Sequence, residues 1–195
     1  KLVKRYCVHT IRIKEFIMAV WNVINHTELG AANATLIDWT SISASYDHLC
    51  VIASPRGDNS GTIVSYKVQL NGETSATNYS YRNIYYQGSA VQYEAVTTQA
   101  TVAAYPRMPA AAAGADSFGM LQMWIPNYAN TTNFKQVITV NGCPNTSTSA
   151  NHHYMYYVGG LWSNAAAVDQ ITITASSDDF VQYSSATLYG INGAG

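Results

Sequence analysis

Between residues 35 and 191 the chain alternates apolar and polar positions in short runs separated by turn residues, with almost nothing at helical spacing. The clearest run is "TIVSYKVQL" (62–70), with Ile63, Ser65, Lys67 and Gln69 on one face and Val64, Tyr66, Val68 and Leu70 on the other. It stops at Asn71-Gly72, and both residues tolerate the positive φ of a type I′ turn, so a hairpin is expected there. Further strands are predicted in "TLIDWTSI" (35–42), "HLCVIAS" (48–54), "NYSYRNIYYQG" (78–88) and "AVQYEAVTTQATVAAY" (90–105). The pattern resumes in "FGMLQMWIP" (118–126), "FKQVITV" (134–140) ending on a second Asn-Gly turn at 141–142, "HYMYYVGGLW" (153–162), "QITITAS" (170–176) and "SATLYGI" (185–191). Between the two groups, "PRMPAAAAGADS" (106–117) reads as a long surface connection.

About ten short strands with turns every 8 to 15 residues and no intervening helices predict an all-β fold. At this length a jelly-roll-like antiparallel β-sandwich is expected, its two sheets packed face to face. The first thirty residues break the pattern. In "RIKEFIMAVWNVI", Ile13, Phe16, Ile17, Val20 and Ile24 recur at roughly 3–4 spacing, which predicts an extended or partly helical N-terminal arm. The expected organisation is an arm over 1–30 and a sandwich domain over 31–195. Phe16, Ile17 and Trp21 are the arm residues expected to contact a partner, because an apolar terminal segment is unfavourable when left exposed. Lys14-Glu15 stands just before Met18, and the codons AAG GAG would read as a ribosome-binding site. Met18 is therefore a candidate start, with residues 1–17 an upstream read-through that intact-mass measurement on the native protein would test.

Composition narrows the function. Charged residues are 11% of the chain and the formal net charge is −1, so the surface is polar but nearly uncharged and offers no electrostatic footprint for nucleic acid. No apolar run approaches the roughly 20 residues that span a bilayer, and the N-terminus has no signal-peptide pattern, so a soluble protein with no membrane partner is expected. Fifteen tyrosines and four tryptophans among so few charges suit surfaces built for contact, although tyrosine is also a good strand former. Cys7, Cys50 and Cys143 lack the spacing of a disulfide framework or a zinc site. The Asn-x-Ser/Thr triplets at Asn25, Asn33, Asn78, Asn130 and Asn145 are at chance level for this composition, and "RGD" at Arg56–Asp58 reads as a turn.

Candidate chemistry is sparse. Asp178-Asp179 is the adjacent carboxylate pair of the chain, but neighbours on an extended backbone diverge, and Asp favours turns; the reading is a turn, with a calcium loop as the alternative. His152-His153 diverge for the same reason and have neither H-x-H nor HExxH spacing, so no metal is expected. No GxSxG, SxxK, GxGxxG or P-loop occurs, which leaves no catalytic motif and no cofactor. The chain is expected not to be an enzyme. A glycan hydrolase drawing its acids from distant strands, with Asp116 or Asp169 as candidates, is the catalytic alternative.

The tail "WSNAAAVDQITITA" (162–175), a short turn carrying Phe180, and "SATLYGI" (185–191) resemble the closing segment of bacteriophage virion-surface proteins: capsid decoration, cement or head-fibre proteins and tail-fibre tips. "SYDHLCVIASPRG", "NYSYRNIYYQG" and "FGMLQMWIPNYANTTNFKQVITVNG" resemble them in the same order, so the likeness runs over residues 21–191. It implies a β-sandwich or jelly-roll domain, usually a homotrimer, with no catalytic residues. A capsid decoration protein is the expected function: bound to the assembled head through the major capsid protein and placed on the outer surface of the virion. The alternative is a tail-fibre or head-fibre protein that recognises host surface glycans through exposed Tyr154, Tyr156 and Tyr157.

Overall fold

In the computed structural model, which describes residues 20–30, 34–103 and 105–193, the chain is an all-β, jelly-roll-like antiparallel sandwich. The described residues hold twelve strands and no α-helix: β1 Val20–Glu28, β2 Leu36–Trp39, β3 His48–Ser54, β4 Ile63–Leu70, β5 Tyr79–Gln87, β6 Ala90–Gln99, β7 Arg107–Pro109, β8 Met120–Pro126, β9 Lys135–Cys143, β10 Tyr154–Trp162, β11 Ile171–Ala175 and β12 Ser185–Asn192. Eight strands form one sheet in the order β1-β12-β3-β8-β9-β10-β5-β6, and four form the other in the order β2-β11-β4-β7.

Alternation puts the core between the sheets. β4 buries Val64, Tyr66, Val68 and Leu70, and β11 buries Ile171, Ile173 and Ala175. They meet Leu49 and Val51 of β3, Leu121 and Met123 of β8, and Trp162 of β10. Tyrosines staple the layers: Tyr79 of β5 donates its hydroxyl to the Leu70 carbonyl at the end of β4 and accepts from the Leu70 N–H, at 3.2 and 2.9 Å. A tyrosine can do this because its ring reaches across the core while its hydroxyl still finds a partner.

Four expectations change. The segment read as an arm contributes Val20–Glu28 as edge strand β1, in register with β12 from Val20↔Asn192 to Glu28↔Ser185, so the sandwich begins before residue 31. The Trp39 indole of β2 donates to Thr27 Oγ1 at 3.0 Å, which ties this strand to the other sheet. Pairing with β12 satisfies a row of backbone groups that an arm would leave to solvent. Phe16, Ile17 and the Met18 start lie outside the described residues.

Asn71-Gly72 does turn, with φ of 51° and 62°, and the Glu73 N–H closes on the Leu70 carbonyl at 3.0 Å. It joins β4 to β5 in the other sheet, however, and forms no hairpin. Asn141-Gly142 is no turn but lies within β9. The stretch 106–117 is no surface connection either: it contains β7, and Met108, Ala110 and Ala113 are fully buried.

Cys50 and Cys143 are buried and free. Burial pushes the Cys50 thiol up to about 11 and the Cys143 thiol up to about 12, the Gln122 and Asn145 side chains acting in the opposite sense. Since the thiolate is the reactive form, native protein treated with iodoacetamide at about pH 8 should leave both unmodified, and peptide mapping should find both alkylated after unfolding. Alkylation of either in the native state would mean that the sandwich opens readily.

Candidate functional site

Two surfaces of the large sheet stand out, one on each face. On the outer face, register aligns Met120, Gly142, Met155, Tyr86 and Val91 in one row across β8, β9, β10, β5 and β6. The next row carries Ile52, Gln122, Val140, Tyr157, Ile84 and Tyr93. Eight large apolar side chains in these two rows are 40–87% exposed, and neither row contains a charge. A third row, Trp124, Ile138, Gly159, Arg82 and Ala95, adds exposed Ile138 and one cation.

Strand β9 shows how deliberate this face is. Its outward side chains include Ile138 and Val140, while Lys135, Thr139 and Asn141 point inward with Val137 and Cys143. The inward polar groups are satisfied where they are: Lys135 Nζ donates to the Asn133 and Ala165 carbonyls at 2.8 and 3.1 Å. Two apolar side chains thus face outward while three polar ones face inward beside Val137 and Cys143, a mixed pattern unlike the usual half-buried strand. Where Gly142 and Gly159 interrupt the rows, the face dips into shallow grooves of about 380 and about 390 Å³.

At the β1 edge, Trp21 packs edge-on against Trp124 and Tyr189, with ring centroids 5.1 and 5.6 Å away, and remains 44% exposed. The residue expected to reach for a partner from an arm is instead anchored on the sheet.

The inner face holds the second surface. The small sheet ends at β7, whereas the large sheet continues through β10, β5 and β6, so these strands overhang the sandwich. In the overhang, Tyr85, Tyr154 and Tyr156 lie nearly parallel, within 17° of one another, with centroids 4.9 to 6.5 Å apart. The Arg107 guanidinium of β7 sits 5.6 Å from the Tyr154 ring centre and donates to Ser65 Oγ at 2.7 Å. Glu94 of edge strand β6 accepts from Tyr81 Oη and Asn83 Nδ2 at 3.3 and 3.4 Å. Tyr105 and Gln99 join Ser65, Tyr81, Tyr85, Tyr156, Glu94 and Arg107 in lining a cleft of about 330 Å³, which Tyr154 and Asn83 adjoin but do not line. Burial raises the Tyr156 hydroxyl to about 12, opposed by neighbouring Arg107, and it likewise raises Tyr81 and Tyr154.

The predicted aromatic trio is thus split. Tyr156 lines the cleft and Tyr154 stacks on it, but Tyr157 points to the opposite face, and Tyr156 is only 6% exposed rather than a surface contact. Strand alternation alone separates Tyr157 from the other two. Tyr81, Asn83, Tyr85, Glu94 and Arg107 were not foreseen, although "YSYRNIY" places Tyr81, Asn83 and Tyr85 on one side by the same period of two.

The other candidates have structural partners. Asp178 and Asp179 sit in the turn between β11 and β12, where Asn59 Nδ2 donates to Asp178 Oδ2 at 2.8 Å and the Asp179 N–H donates to Asp58 Oδ1 at 3.0 Å. His152 and His153 both bond Ser147, at 2.8 and 3.0 Å. Among the described residues no group of three or more His, Cys, Asp or Glu side chains converges as a metal site. Asp169 packs beside the Asn71 turn, its N–H donating to Asn71 Oδ1 at 2.9 Å, while Asp116 lies near Arg56. In "RGD", Arg56 is buried and its guanidinium donates to the Gly114, Ser117 and Ala111 carbonyls, fixing the loop after β3 against the β7–β8 connection.

Comparison with known protein families and with curated proteins returns no match. Among solved structures, the chain is similar to galectin LEC-6 of Caenorhabditis elegans, at 5% identity and a TM-score of 0.31, covering 86% of this chain and 96% of that one. It is also similar to the alginate lyase Aly36B, at 10% identity and a TM-score of 0.25, covering 89% and 79%. Likenesses this distant say nothing about chemistry.

Proposed function

We propose that the protein is a structural component of a bacteriophage surface, of the capsid decoration kind, which works by contact through the outer face of its large sheet. One observation carries this reading: two aligned rows of exposed Met, Tyr, Ile and Val side chains without a charge, on a chain with few charges anywhere. Contiguous apolar surface of that extent is unfavourable in water and is the mark of a contact site, and aromatic and methionine enrichment with charge depletion is the composition of an interface core. The ordered likeness of residues 21–191 to virion-surface proteins points the same way. Binding only the assembled shell would stabilise that shell by mass action.

The trimeric part of the proposal rests on edge strand β6, whose residues are exposed along nearly its whole length. An open edge invites pairing, and closure into a ring of copies is the common way to cover one.

The test uses Tyr157→Glu, in the centre of the apolar rows. The side chain is 55% exposed, so the variant should keep its fold and its oligomeric mass, while its binding to heads purified without the protein should fall by at least about tenfold, as removal of a central aromatic contact does. Undiminished binding would refute the role of this face, and a monomeric mass by light scattering would refute the trimer.

A further inference from the structure

We propose that the overhang cleft is a saccharide site that takes a neutral pyranose unit of a glycan chain, using Tyr85 and Tyr156 as ring contacts and Arg107 and Glu94 as hydrogen-bonding groups. This goes beyond the contact role of the outer face and occupies the opposite side of the sheet.

The first argument is unsatisfied polarity. Arg107, which lines the cleft, has its Nε buried without a hydrogen-bond partner, and so has the Oδ1 of Asn83, whose amide donates to cleft-lining Glu94. Buried polar atoms left unpaired cost about 1–3 kcal/mol each, so one on a lining residue and one on its immediate neighbour call for an explanation. The second is the disposition of charge. Arg107 and Glu94 both line the cleft, and each is held by neutral side chains, Ser65 for the one and Tyr81 with Asn83 for the other. An anionic ligand would meet Glu94 and a cationic one Arg107. A ligand rich in hydroxyls, each both donor and acceptor, satisfies the two together.

The third argument is shape. Tyr85 and Tyr156, parallel within 14° and both on the lining, offer flat apolar surface beside these polar groups. A pyranose ring has that duality, with C–H groups on its face and hydroxyls at its edge. The volume of about 330 Å³ is at the small end of ligand pockets and suits one sugar unit with its neighbours extending into solvent. Glu94 is itself solvent-exposed on edge strand β6, so the cleft is open from that side.

The experiment is saturation-transfer NMR and calorimetry on the full chain, with maltohexaose and cellohexaose as neutral probes and hexagalacturonate as the acidic one. At least one neutral hexasaccharide should bind, and Tyr85→Ala, Glu94→Gln and Arg107→Met should each weaken it by about tenfold or more, the loss expected for a hydrogen bond to a charged group or for a stacking contact. Glu94→Gln keeps the side chain's size at an exposed position and guards against a result caused by unfolding. Tyr157→Glu should leave saccharide binding unchanged, which separates this site from the outer face. Absence of binding by either neutral probe at about 10 mM, a preference for hexagalacturonate, or affinity that survives Glu94→Gln and Tyr85→Ala would overturn the proposal.

Discussion

Gly160→Ala is expected to cost about 3 kcal/mol of folding stability, whereas Gly159→Ala, one position away on β10, should be neutral or stabilising by about 0.5 kcal/mol. The difference follows from which face each glycine occupies. A Cβ on Gly160 would lie 2.1 Å from the Val102 carbonyl oxygen and 3.3 Å from the Val102 side chain, where the chain leaving β6 crosses the inner face. Val102 is fully buried and its N–H donates to the Val68 carbonyl of β4 at 3.0 Å, so the crossing segment is held from the far side and has nowhere to retreat. A Cβ on Gly159 meets nothing within 4 Å. Urea unfolding of the two variants would decide it: a drop in midpoint for Gly160→Ala at constant slope is the expected result. Equal midpoints would show that the 101–103 segment is looser than its hydrogen bonds imply.

Asn141→Leu should be comparably damaging, at about 3–5 kcal/mol, although leucine is larger, apolar and a common core residue. Asn141 is fully buried on the inner side of β9 and bridges strands from both sheets. Its Oδ1 accepts from the Arg107 N–H at 3.0 Å, and its Nδ2 lies 3.0 Å from the Arg107 carbonyl, 2.8 Å from the Met120 carbonyl and 3.0 Å from Tyr66 Oη. Leucine would leave these groups buried without partners, each at about 1–3 kcal/mol, and would release β7 from the sheet it leans on. Because β7 carries Arg107, the same variant should also lower the affinity of any ligand in the overhang cleft. Thermal unfolding with and without maltohexaose would register both effects, and a variant as stable as the parent would remove Asn141 as the bridge.

The Asn141 case also marks what a sequence can and cannot say. "VITVNGC" offers Asn-Gly after an alternating run, which in most chains is a hairpin; here the run goes on through Cys143 because Met120 of β8 and Met155 of β10 pair with Gly142 from both sides and Tyr154 pairs with Cys143. Local pattern fixes the period of a strand but not its neighbours. For that reason strands β2 to β6 and β8 to β12 were legible, while β7, the pairing of β1 with β12 and the crossing of Asn71-Gly72 from one sheet to the other were not. Nor does alternation say which side is the core. On β9 Ile138 and Val140 turn outward while Lys135, Thr139 and Asn141 turn inward, and only the tertiary register shows it. The cleft is harder still, since Tyr85, Glu94, Arg107 and Tyr156 come from four strands and meet only because the small sheet stops short. Tyr154 and Tyr156 were found from their chemistry; their partners needed the fold.

β12 is inserted between β1 and β3, so His26 bonds Thr187, 161 positions further along the chain. During synthesis β1 therefore waits without a neighbour, and the open side of β3 stays unpaired, until β12 has emerged. Such non-local closure is slow. A nascent chain in that interval displays apolar surface and a bare strand edge at once, the combination that exposes a folding chain to aggregation.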